Sequence, residues 1–169
     1  MAGPAVPVVS LADYFRLEEQ PEIRHEYRGG EMVEMEAATV AHQQILMETA
    51  LSVRPVAKSQ GCTLLPLGMR IAAPDGLYTY PDLLLFRGKL ERSPVDADTL
   101  VNPVMLIEVL SATTANYDRG EKFRSYRGIP SLREYITIDQ RAPQIERHFR
   151  DHEGRWVTED IDGLESTLH

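Results

Sequence analysis

The sequence predicts a mixed α/β domain in which helices flank a central β-sheet. Three observations carry that prediction. Short apolar, strand-like runs recur along the chain, among them YTYPDLLLF, PVMLIEVL and EYITID. A longer segment, from about Thr39 to Ser59, instead sets Ile45, Leu46, Ala50 and Val53 on one side of a helix. Helical and strand-like segments follow one another along the chain, which is the pattern of layers packed around a sheet.

Each element has its own local signal. Ser10-Leu11-Ala12-Asp13 is an S-x-x-D helix start, with Tyr14, Phe15 and Leu17 forming a short apolar face. IRHEYRGGEMVEM reads as a hairpin, two strand-like runs around Gly29-Gly30. After the long helix, TLLPLGMRIA predicts an edge or bulged strand, because Pro66 has no N–H for a ladder. YTYPDLLLF and PVMLIEVL are the next two strands. Asp118-x-x-Glu121 predicts a capped helix that reaches about Arg127 and stops before Gly128 and Pro130. EYITID, QIERHFR and RWVTEDI complete the set, the last after a turn over Asp151 to Gly154.

With 169 residues, the chain is expected to form a single domain over 1–169, including a short N-terminal extension over 1–9. No apolar run approaches the roughly 20 residues of a membrane span, and the N-terminus lacks a secretory pattern, so no membrane partner is expected. The lone cysteine, Cys62, leaves no internal disulfide to form and fits a cytoplasmic protein. A formal net charge of −8 argues against broad, charge-driven adhesion to nucleic acid, but not against a local site that uses a metal ion.

The chemistry concentrates on two acids. Glu108 stands inside Val104-Met105-Leu106-Ile107 and Val109-Leu110, and Asp82 introduces Leu83-Leu84-Leu85-Phe86. Such runs mark strands covered on both faces. An ionised carboxylate there costs several kcal/mol unless something holds its charge. If the two strands are neighbours, Asp82 and Glu108 converge, and one keeps its proton unless a cation sits between them. Mg²⁺ suits such a place, because it accepts one or two carboxylates and retains waters. The chain has three lysines, and one of them, Lys122, lies on the helix that follows the Glu108 strand, with Tyr126 one turn further along the same face.

Pro-Asp, then a strand bearing Glu after an apolar run, then a lysine resembles the signature of PD-(D/E)xK restriction-endonuclease-like nucleases. The blocks HEYRGGEMVEM, Ala41-His42-Gln43, YPDLLLF, LIEVLSATT, YDRGEKFRSYRGIP and REYITID are similar, in this order, to a large bacterial family of endonucleases on that fold. The resemblance spans about Ser10 to Phe149. It implies a restriction-endonuclease-like mixed sheet with an N-terminal hairpin, and metal-dependent cleavage of phosphodiester bonds in DNA. Asp82 and Glu108 would be metal ligands, with the Val109 carbonyl as a third, and Mg²⁺ the ion, with Mn²⁺ as substitute. Lys122 would complete the catalytic set. Glu26 and His42 match two further family positions and are expected near the pocket, as is Tyr126. A homodimer is expected for cleavage of both strands, and no organic cofactor.

The basic motif places its lysine two residues after the acid, where this chain has Leu110. The resembling family has its lysine on the following helix, which here is Lys122. Leu110 and the negative charge also fit a second reading, a catalytically inactive nuclease-fold binding or assembly module. Read singly, Glu108 is equally a core acid paired with an arginine, Lys122 a solvated helix lysine, and His42 a hydrogen-bonded core histidine. His148 and His152 share a strand and its turn, where i, i+4 spacing does not converge on a metal. The stretch Arg119, Lys122, Arg124, Arg127 and Arg133 is locally basic.

Overall fold

The computed structural model describes residues 8–163; residues 1–7 of the expected extension lie outside the described residues. Ser10 caps the first helix, α1 (Leu11–Leu17), by accepting the Asp13 amide on its Oγ at 3.1 Å. Tyr14 is fully buried, but Leu17 faces solvent and Glu18 takes the inward place. Gly29 and Gly30, at φ of 55° and 100°, make the left-handed turn between β1 (His25–Arg28) and β2 (Glu31–Glu34). Thr39 caps the long helix α2 (Val40–Ser59), its Oγ1 accepting the His42 amide.

Two expected strands divide. TLLPLGMRIA becomes β3 (Cys62–Pro66) and β4 (Arg70–Ala72), and YTYPDLLLF becomes β5 (Tyr78–Thr79) and β6 (Leu83–Arg87). The breaks fall just after Pro66, where Gly68 turns at φ 93°, and at Pro81. Proline has no N–H to continue either ladder, and at each break the chain crosses from one sheet to another. A short strand the sequence did not signal, β7 (Thr99–Leu100), precedes β8 (Met105–Leu110). After β9 (Glu134–Asp139), β10 (Gln144–Arg150) and β11 (Trp156–Asp162) close the described chain.

The single central sheet read from sequence is therefore two mixed sheets. The larger has the order β11-β10-β9-β8-β6-β3, with β8 and β9 parallel, and β3 lies at its edge as Pro66 requires. The smaller has the order β2-β1-β5-β4-β7. Helix α2 covers one face of the larger sheet through Leu46, Leu83, Ile107, Val109 and Ile136. Leu84, Leu106 and Tyr135 point to the other face and pack with Ile71 and Leu100 of the smaller sheet. Strand β8 is thus buried on both faces, as its unbroken apolar run predicts.

The helix expected to begin at Asp118 begins earlier. It runs as α3 (Ala115–Tyr117), a π-helical turn over Asp118–Lys122, and α4 (Phe123–Tyr126). Asp118 is not its cap. It is buried inside the turn, and Tyr135 donates its hydroxyl to the Asp118 carbonyl at 3.1 Å. Among the described residues, no helix is long and apolar enough to cross a membrane.

Candidate metal and active site

Strand pairing explains why Asp82 and Glu108 meet. Strands β6 and β8 are antiparallel with Leu83 opposite Ile107. Asp82 immediately precedes Leu83 and Glu108 immediately follows Ile107, so the two acids come together at the end of that ladder, and both line one pocket. The Val109 amide, which at this position faces β6, donates instead to Asp82 Oδ2 at 2.8 Å.

The remaining groups arrive from three other elements. His42, in the first turn of α2, lies with Nε2 3.0 Å from Asp82 Oδ1. That contact raises the imidazole above its ordinary pKa, against the lowering effect of burial. Glu26 comes from β1 and accepts the Thr79 hydroxyl at 2.5 Å. Lys122 comes from the π-helical turn. Its Nζ lies 2.9 Å from Glu108 Oε1, 3.0 Å from Glu26 Oε1 and 3.3 Å from Asp118 Oδ1. Tyr126, one turn on, donates to the same Glu108 oxygen at 2.9 Å. A π-helical turn widens the helix locally, a device common at functional sites.

Four buried carboxylates, those of Glu26, Asp82, Glu108 and Asp118, thus surround one ammonium and one imidazole. Burial pushes the Glu108 carboxyl up to about 8; Lys122 opposes the rise, and Asp82 and Asp118 add to it. Glu26 is also penalised by burial, yet Lys122 and the Thr79 hydroxyl hold it below its ordinary value. Lys122 itself stays charged: its acidic neighbours, Glu108 first, outweigh the cost of burying it. Burial and the neighbouring carboxylates favour a proton on Glu108, Lys122 opposes it, and a stronger cation at the site would oppose it further.

These groups line a pocket of about 220 Å³ at the seam of the two sheets, except Tyr126, which reaches it only through Glu108. Among the described residues, no three or more His, Cys, Asp or Glu side chains are grouped to hold a metal by themselves. Two carboxylates that meet in one pocket, with the Val109 backbone beside them, suit a hard ion that keeps several waters. Asp118 is a site residue that the sequence reading missed. Its i, i+4 spacing to Lys122 was the available signal, and its cap-like position hid it.

The chain as a whole is similar to known proteins. A family model described as "Uma2: Putative restriction endonuclease" matches residues 11–169. The chain belongs to this family. Two Synechocystis sp. proteins are similar to it: "Uncharacterized protein sll1609", 26% identical over 157 residues, covers 92% of this chain and 89% of its own, and "Uncharacterized protein slr1290", 26% identical over 152 residues, covers 89% and 79%. A crystal structure from Anabaena variabilis, titled a putative nuclease belonging to DUF820, superposes with a TM-score of 0.76 at 18% identity, over 95% of this chain and 88% of that one. That likeness shows the shared nuclease fold, and membership of the Uma2 family supports a nuclease-like activity.

Within this Uma2 chain the lysine question has a geometric answer. Leu110 is buried two residues past Glu108, and the ammonium beside Glu108 comes from the helix. The expected basic stretch does not form one face: Lys122 is buried and Arg119 donates to Glu146 at 2.5 Å, whereas Arg124 is exposed. His148 is stacked on Phe123 in β10, and His152 lies in the turn beyond it.

Proposed function

We propose that this chain is a Mg²⁺-dependent endonuclease that hydrolyses phosphodiester bonds in DNA. The observation that carries this reading is the meeting of Asp82 and Glu108 in one pocket, with the Val109 amide on Asp82 and more buried carboxylates than cations around them. Asp82, Glu108 and the Val109 carbonyl would hold the ion, with Mn²⁺ as a substitute. When bound, the ion supplies positive charge for the phosphate oxygens and acidifies water for attack at phosphorus.

The chain's own residues do the rest. His42 and the Val109 amide fix both oxygens of Asp82, so its carboxylate is oriented before anything binds. Tyr126 and Lys122 fix Glu108 Oε1 in the same way. Glu108, already favoured as a carboxylate by Lys122, would be favoured further in that form by a dication held beside it. Lys122 offsets the charge of Glu26 and Asp118, which keeps the pocket from becoming so acidic that it repels a phosphodiester. Cleavage of both strands calls for two such sites, so the working form in this proposal is a homodimer.

The test is incubation of the purified protein with plasmid and short duplexes, with Mg²⁺, with Mn²⁺ and with chelator. Cleavage that needs the ion and disappears in both Asp82→Ala and Glu108→Ala supports the proposal. Cleavage that persists in those variants assigns the activity elsewhere. Leu110 in the usual place of the lysine favours the second reading, a nuclease-fold module that binds without cutting; it predicts binding of duplex with no cleavage under any ion.

A further inference from the structure

The cations of the pocket differ in how far they are already committed. Lys122 contacts three carboxylates and His42 is held by Asp82. Lys122 has no donor to spare for substrate, and His42 keeps only its second ring nitrogen. Arg28 differs. Its Nε lies 3.7 Å from Glu26 Oε2, beyond hydrogen-bond reach, and this buried atom has no hydrogen-bond partner among the described residues. Its guanidinium lies over the Tyr117 ring at 4.0 Å from the centroid, and the side chain is 32% exposed. The ring fixes the plane of the fork at little entropic cost.

Arg28 and Tyr117 also line two cavities at once. One is the carboxylate pocket; the other, also about 220 Å³, is bounded by Asp75, Leu77, Glu121 and Arg124. The two carboxylates of the second cavity balance its arginines, so a phosphate is held best at the junction, on Arg28 itself. Building on the nuclease reading above, we infer that Arg28, backed by Tyr117, is the substrate-positioning residue that takes a backbone phosphate oxygen as the nucleic-acid strand leaves the carboxylate pocket. A planar fork on a fixed ring suits two phosphate oxygens, whereas a lysine in the same place offers only a point charge.

The test compares wild type, Arg28→Ala, Arg28→Lys and Tyr117→Leu in two assays. The first is binding of a fluorescently labelled short duplex across a salt series, with Ca²⁺ replacing Mg²⁺ so that binding is read apart from turnover. The second is Mg²⁺-dependent cleavage, with KM and kcat measured separately. The inference predicts that Arg28→Ala binds roughly tenfold or more weakly. Its log–log salt slope should be shallower by about 1. In cleavage the loss should fall on KM, with Arg28→Lys restoring the slope but not the full affinity and Tyr117→Leu lying between. Unchanged affinity and salt slope in Arg28→Ala would overturn the inference even if the enzyme cuts. Absence of cleavage in wild type, with Arg28-dependent binding intact, would instead overturn the nuclease reading and leave Arg28 as the phosphate contact of a binding module.

Discussion

The ammonium of Lys122 stands 2.9 Å from Oε1 of Glu108, although the two residues belong to a π-helical turn and a central strand. Tyr126 donates to the same oxygen, so one side of Glu108 is fully committed to the protein. This contact answers how a carboxylate can sit in a strand buried on both faces. It also shows why a lysine need not follow the acid on its own strand.

Removing that ammonium should be costly. Lys122→Met removes the one ammonium shared by Glu26, Glu108 and Asp118, and breaking a buried pair from one side costs about 3–5 kcal/mol. Urea unfolding of metal-free protein is expected to show a loss in that range. A loss under about 1 kcal/mol would mean that these acids do not depend on Lys122.

Asp82 separates structure from function by choice of substitution. Asp82→Asn keeps an oxygen for the Val109 amide and is expected to fold within about 1 kcal/mol of wild type. Asp82→Ala strands that buried amide and should cost about 1–3 kcal/mol. Calorimetric titration with Mn²⁺ should give no site-specific heat in either. Normal Mn²⁺ binding by the Asn variant would remove Asp82 from the ligand set.

The raised Glu108 carboxyl gives the ion a definite pH dependence. Below about 8 the group carries a proton that the ion must displace, so affinity should rise with pH and level off above that value. Titrations in buffers of different ionisation heat should show a proton released on binding near pH 7. In Glu108→Gln, both binding and proton release should vanish. An affinity that is flat with pH in wild type would contradict this assignment.

His148 makes a separate prediction about stability. Burial against Phe123 and Tyr135 holds its imidazole below the ordinary 6.5, so it is neutral when folded while the unfolded chain takes up a proton first. The unfolded state therefore binds more protons as pH falls below about 6.5, and stability should decline there. Thermal unfolding across that window, compared with His148→Phe, isolates the effect: the variant should lose this part of the slope.

The sequence made some of this legible and hid the rest for physical reasons. Ser10 announced its helix because a capping oxygen acts locally, the long helix announced itself by its apolar side, and Gly29-Gly30 announced its hairpin because few residues adopt those φ values. Asp82 and Glu108 were visible as acids in apolar runs. The two-sheet arrangement was not, because a strand that changes sheets at Pro66 or Pro81 keeps its apolar composition across the break. Asp118 was read as a cap because its partner depends on a π-helical turn, and nothing in local propensity signals that turn. From the smaller sheet Arg28 joins the pocket and Thr79 donates to Glu26, a long-range packing result that no spacing encodes.

The most direct test is a crystal soaked in Mn²⁺ and recorded at a wavelength where manganese scatters anomalously. The account predicts one strong peak per chain in contact with the carboxylates of Asp82 and Glu108 and the Val109 carbonyl. A peak elsewhere, or a well-ordered pocket with no peak at saturating Mn²⁺ and with Lys122 still closed on Glu108, would contradict it.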